Sequence, residues 1–132
     1  MTREELKNVM MQMFQECMEL REAGQKEYAH DVNEAFSNFN KLAEELCLDR
    51  KQILWVYAKK HIDGIVSYIN GHKSQREDVR GRINDLVVYM NILRGMIEEE
   101  ESRLALNKQI LMQQQQLQNI AQSGARPLNL GQ

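Results

Sequence analysis

Four times along this chain a Ser, Thr or Asp is followed three positions later by Glu or Gln: Thr2 with Glu5, Asp31 with Glu34, Asp49 with Gln52, and Ser74 with Glu77. In such a pair each side chain bonds the other residue's backbone N–H, which is how many helices begin. Apolar residues at helical spacing follow each pair, so the expected architecture is all-α: a compact bundle of about four helices with an extended C-terminal helix and a flexible tail. Helix one carries Leu6, Val9, Met10, Met13, Cys17 and Leu20 to about Ala23. Gly24 is its expected stop and QKEYAHD an exposed loop. Helix two presents Ala35, Phe36, Phe39, Leu42, Ala43 and Leu46 and ends near Cys47. Helix three has a stripe of Leu54, Ala58, Ile62, Ile65 and Ile69 before Asn70 and Gly71 stop it. The tight connection HKS then makes helices three and four antiparallel neighbours.

In helix four, Ile83, Leu86, Met90 and Leu93 form the apolar stripe, and Gly81 and Gly95 are expected to mark a close helix crossing or, as the alternative, the approach of a ligand. Beyond Glu98–Glu101 the chain is rich in glutamine, and Leu106, Ile110, Leu117 and Ile120 keep a stripe too thin to fold alone. It either extends helix four into a partner subunit or stays partly disordered. The expected organisation is a bundle over 1–101, a helical extension over 102–122 and a flexible terminus over 123–132.

Composition narrows the function. A net charge of −2 over 132 residues gives no bulk attraction to polyphosphate backbones, which makes a nucleic-acid partner a poor expectation. Lys73, Arg76, Arg80 and Arg82 are a local basic cluster that suits one small phosphate at most. Cys17 and Cys47 fall among apolar residues and read as small core residues. No charged-then-apolar leader opens the sequence, and no apolar run approaches the roughly 18 residues that span a bilayer, so a cytoplasmic protein without a membrane partner is expected.

The segment Tyr57–Tyr89 is the functional candidate, because it puts ionisable groups beside core stripes. Tyr57, His61, Gly64 and Tyr68 line one face of helix three with Lys60 next to them. Asp78, Arg82, Asp85 and Tyr89 recur on one face of helix four. Unpaired burial of such groups is costly, so they form either an ion-pair network or a site. The sequence has no phosphate-cradling glycine loop, CxxC pair, HExxH or nucleophile elbow, which removes most familiar enzyme classes. What remains is carboxylates on facing helices, which can hold magnesium, with Lys or Arg offsetting phosphate charge.

The succession KEYAHD, FSNF, VYAKKHIDGI and GHKSQREDVRGRINDLVVYMNIL resembles the nucleotide modification associated domain 1 family of phages and bacteria, in the neighbourhood of MazG-like all-α nucleotide pyrophosphohydrolases. The resemblance spans roughly Lys26 to Glu98. It implies a phage-encoded helical bundle that binds or acts on a nucleotide in nucleotide or DNA-base metabolism, in the host cytoplasm. The MazG-like pattern pairs ExxE on one helix with ExxD on a later one. Glu16 and Glu19 match the first pair, while Arg82 stands where the second would have glutamate, three residues before Asp85.

The resulting expectation is Mg2+, or Mn2+ in its place, held by Asp85 with Asp78 or Glu77. Lys60 and Arg82 meet a phosphate, Tyr57 or Tyr89 stacks on a base, Asn38 contributes to the pocket and His61 positions water. Two alternatives stand beside it. One is a non-catalytic homo-oligomer that binds a nucleotide signal or a host protein; the other is a structural oligomer whose polar cluster is an ion-pair network.

Overall fold

The computed structural model describes residues 1–30, 33–73 and 76–124. Four helices account for most of them: α1 (Arg3–Ala29), α2 (Ser37–Leu46), α3 (Arg50–Ile69) and α4 (Val79–Gly124). The expected all-α fold with a long final helix is what forms. The chain divides into two compact units, Met1–Met96 and Ile97–Gln132, a boundary a few residues ahead of the one expected after Glu101. The expected flexible terminus lies outside the described residues from 125 onward.

Two of the capping pairs form as expected. Thr2 Oγ1 accepts from Glu5 N at 3.2 Å while Glu5 Oε2 accepts from Thr2 N at 2.6 Å. Asp49 and Gln52 make the same exchange at the start of α3, and Asn70 with Gly71 (φ 91°) ends it. The other two pairs fall partly on Asp31 and Ser74, outside the described residues. At the head of α4 the cap that is seen is Asp78, whose Oδ1 accepts from Arg80 N at 2.8 Å.

Two endings differ from expectation. α1 runs through Gly24 to Ala29 and takes its cap at His30. Gly24 has a stop's composition but no left-handed φ, and space for a Cβ is open around it. Gly24→Ala is therefore expected to stabilise the fold by about 0.5–1 kcal/mol in a denaturant titration. A loss of stability would mean the helix does break there. Cys47, expected in the core, is exposed: it adopts the left-handed conformation (φ 53°) that closes α2, and its N–H and that of Leu48 return to Glu44 and Ala43 carbonyls. Cys17 is buried, as expected.

The core joins α2, α3 and α4 through Phe39, Ala43, Ile53, Leu54, Ile92 and Met96. Gly95 permits its closest approach, since a Cβ there would stand 3.1 Å from Phe36 Cζ. Arg50 lies over the Phe36 ring at 5.2 Å and donates to the Met96 carbonyl at 3.3 Å, which ties the start of α3 to α4. By contrast, a Cβ at Gly81 would meet nothing within 4 Å, so that glycine marks no close crossing.

The pairings between α3 and α4 give their direction. Gly64 lies against Arg82, His61 against Asp85, and Tyr57 against Tyr89, so numbering rises along one helix as it falls along the other. The two are antiparallel, as the short connection predicts. Of the expected α4 stripe, Met90 and Leu93 pack against the core, but the stripe is not the most buried one. Ile83 is 38% exposed, and the deepest positions are Ile92 and Met96, in helical register with Asp85 and Tyr89. On α3 the buried stripe is Leu54, Ala58 and His61, while Ile69 is exposed. Each core stripe thus turns polar on the same side of the bundle.

Among the described residues no helix is long and apolar enough to cross a membrane.

Candidate functional site

Where the two stripes turn polar, the four helices surround a cavity of about 280 Å³. That is near the lower end of the ~300–1,000 Å³ common for small-molecule sites. α1 contributes Tyr28 to its wall, α2 Asn38 and Phe39, α3 Lys60 and His61, and α4 Asp85 and Tyr89, with Glu77 just ahead of α4. Of the candidates read from sequence, the cavity therefore gathers Asn38, Lys60, His61, Glu77, Asp85 and Tyr89.

His61 is the one buried polar residue of the core among the described residues, 3% exposed. Its Nδ1 stands 3.2 Å from Asp85 Oδ2 but outside hydrogen-bonding geometry, which leaves a buried nitrogen with no hydrogen-bond partner. Such orphaned atoms cost free energy and call for a reason. Burial, more than any other cause, pushes the imidazole below its ordinary range; Asp85 and Glu77 push it up, and Lys60 and Arg82 push it down. Burial thus favours the neutral ring, which keeps one nitrogen lone pair. One ligand atom each from His61, Glu77 and Asp85 lies within 4.8 Å of the others, a spacing that suits a shared cation.

This shift gives stability a pH dependence. Unfolded His61 takes up a proton near pH ~6.5 and the folded residue only lower, so its contribution is present above ~6.5 and lost as pH falls through the folded value. Denaturant midpoints are expected to drop as pH falls below ~6.5, and His61→Gln to flatten the drop. An unchanged slope in that variant would assign the drop elsewhere.

Tyr89 stacks on Tyr57 (centroids 6.4 Å apart, planes 12° apart) and meets Phe39 edge-on at 6.5 Å. Burial raises the Tyr89 phenol above its ordinary value, with the Asp85 charge adding to it, so the hydroxyl stays a donor. Tyr57 is not on the cavity wall; it backs the Tyr89 ring.

Arg82 also stands behind the cavity. Its side chain crosses Gly64, where a Cβ would come within 2.6 Å of Cδ and 2.7 Å of Nε and Nη1, and Nη1 reaches Glu77 Oε2 at 3.6 Å. Only glycine at 64 leaves it that room. Arg82 Nε is buried with no hydrogen-bond partner.

Three sequence candidates stand elsewhere. Asp78, expected as a metal ligand, caps α4 and pairs with Arg80 Nη1 at 3.2 Å, so the carboxylates grouped with His61 are Glu77 and Asp85. Glu16 accepts from Asn84 Nδ2 at 2.8 Å and Gln12 Nε2 at 2.9 Å, bonds that hold its carboxyl below the usual range, the Asn84 bond most. Glu19 accepts from Gln15 Nε2 at 2.9 Å. Neither belongs to the His61 group. Asp63, between His61 and Gly64 on α3, pairs with Lys59 on an exposed face. Phe39, read from sequence only as core, proves to be both core and cavity wall. Its position between Asn38 and the facing tyrosines was the available signal.

No family model matches this sequence, and neither a curated protein nor a solved structure matches it.

Proposed function

We propose that the cavity binds a nucleotide or a nucleotide-derived phosphate compound together with one divalent cation, and that the chain hydrolyses a phosphoanhydride bond of that ligand. The observation that carries this reading is the convergence of His61, Glu77 and Asp85 on the cavity wall, with a buried imidazole whose Nδ1 has no hydrogen-bond partner. One nitrogen and two carboxylates favour Mn2+ over Mg2+, which prefers oxygen ligands throughout. Held by these three residues, the ion would offset the negative charge of the ligand's phosphate.

The chain's own groups supply the rest. His61 serves better as ligand than as water-positioner, since the nitrogen facing Asp85 is the unpartnered one. Lys60 on the wall meets a phosphate, and Arg82 acts at one remove by fixing Glu77. The Tyr89 face, backed by Tyr57, offers a stacking platform for a base, and the Asn38 amide can bond the base edge. The resemblance of the four segments between Lys26 and Glu98 to nucleotide-handling phage domains supports the same reading.

Incubation with a panel of standard and modified nucleoside triphosphates and Mn2+ is expected to release phosphate or pyrophosphate from at least one. A silent panel in which no nucleotide raises the melting temperature would count against both binding and turnover. A binding role without turnover is favoured by one feature: Arg82 already offsets the charge of Glu77. Calorimetry that shows saturable nucleotide binding beside a silent turnover assay would select it.

A further inference from the structure

The second unit carries an apolar seam that nothing in the hydrolase reading uses. From Ile97 to Gly124 the chain is one continuous helix, about 42 Å long at 1.5 Å per residue. Arg103, Leu106, Ile110, Gln113, Leu117 and Ile120 recur at alternating spacings of three and four, the a and d positions of a heptad. The apolar four are 43–66% exposed. A helix of this composition has too little local support to hold alone and takes most of its stability from a packed face.

We propose that this helix pairs antiparallel with the same helix of a second copy. Reversed on itself, the seam sets Leu106 against Leu117, Ile110 against Gln113 and Arg103 against Ile120, so that every layer contains an apolar side chain. Parallel pairing instead sets Arg103 on Arg103 and Gln113 on Gln113. Charge gives the same direction. Glu98–Glu101 form an acidic run, and no Asp or Glu follows anywhere in the sequence. Parallel helices bring the two runs side by side. Antiparallel helices place each beside the uncharged end of its partner near Gln122–Gly124, about 36 Å from the other run and well beyond the ~8 Å screening length of physiological salt. The arrangement is two-fold symmetric, as most homodimers are.

The seam, about 42 Å by 10 Å, covers roughly 420 Å² per copy, about half of the ~800 Å² per partner of a standard interface. Association through it is therefore weak and concentration-dependent. The full chain at about 100 μM is expected to show a light-scattering mass approaching twice 15.5 kDa, falling on dilution, and Leu117→Glu to return it to 15.5 kDa with its helical signal from the first unit intact. Direction is read from a spin label at Ser102→Cys in a Cys47→Ser background, with Cys17 left buried. Antiparallel pairing places the labelled backbones about 28 Å apart, whereas parallel pairing brings them within about 15 Å. A mass that stays at 15.5 kDa at the higher concentration, a Leu117→Glu dimer, or labels in close contact would each overturn the proposal.

Discussion

Asp85→Ala is expected to lower nucleotide turnover by at least about 100-fold while the protein remains folded. The carboxylate faces the buried His61 nitrogen at 3.2 Å and its own side chain is 30% exposed, so water already covers part of the charge. Removing it deletes one carboxylate from the three-residue group without opening a dry cavity in the core. Asp85→Asn keeps the volume and removes the charge, and is expected to lose turnover just as Ala does. A structural role for Asp85 predicts the reverse: a lowered melting temperature with turnover per folded molecule unchanged. Measuring both quantities on both variants separates the two.

The opposite pattern is expected at Leu54. This side chain is 0% exposed, at the centre of the cluster that joins α2, α3 and α4. Truncating it to alanine removes its transfer free energy and leaves a cavity that rigid helices fill only in part, a loss of about 3 kcal/mol. Against a total of ~5–15 kcal/mol for a small domain, that shifts a denaturant midpoint far more than any surface change. The cost should fall on stability first, with activity per folded molecule affected less than in Asp85→Ala. A Leu54→Ala protein as stable as the parent would mean that the helices do not pack as described.

Local chemistry makes much of the fold legible. The Thr2–Glu5 and Asp49–Gln52 caps depend on residues within one turn, and both form. Gly24 misleads because a glycine ends a helix only when the chain also turns left-handed there, and α1 keeps its hydrogen bonding through it. Cys47 misleads for a related reason. Its neighbours are apolar, but the left-handed turn that closes α2 carries its side chain outward. At the head of α4 an aspartate two positions before Arg80 acts as cap, and the cap occupies a carboxylate that spacing alone leaves free for a metal.

The candidate site is legible in its main axis. Helical spacing places His61 and Asp85 on stripes that an antiparallel pair brings together, and they do meet. Which carboxylate joins them is not legible, because Glu77 precedes α4 and no helical period constrains it. Nor is the difference between the tyrosines. Both sit on suitable faces and both meet Phe39 edge-on, yet Tyr89 takes the cavity wall and Tyr57 the position behind it. Glu16 and Glu19 match an expected metal pair by spacing alone, but the amides of Asn84, Gln12 and Gln15 occupy them.

In the proposed site His61, Glu77 and Asp85 together would hold one divalent cation at the cavity wall. The paramagnetic resonance of free Mn2+ tests it without reference to any substrate. Titrating protein into Mn2+ is expected to remove the free-ion signal with one ion bound per chain, and His61→Ala to restore most of that signal at the same concentrations. A free-ion signal that the parent protein leaves unchanged, with or without nucleotide, would contradict the claim.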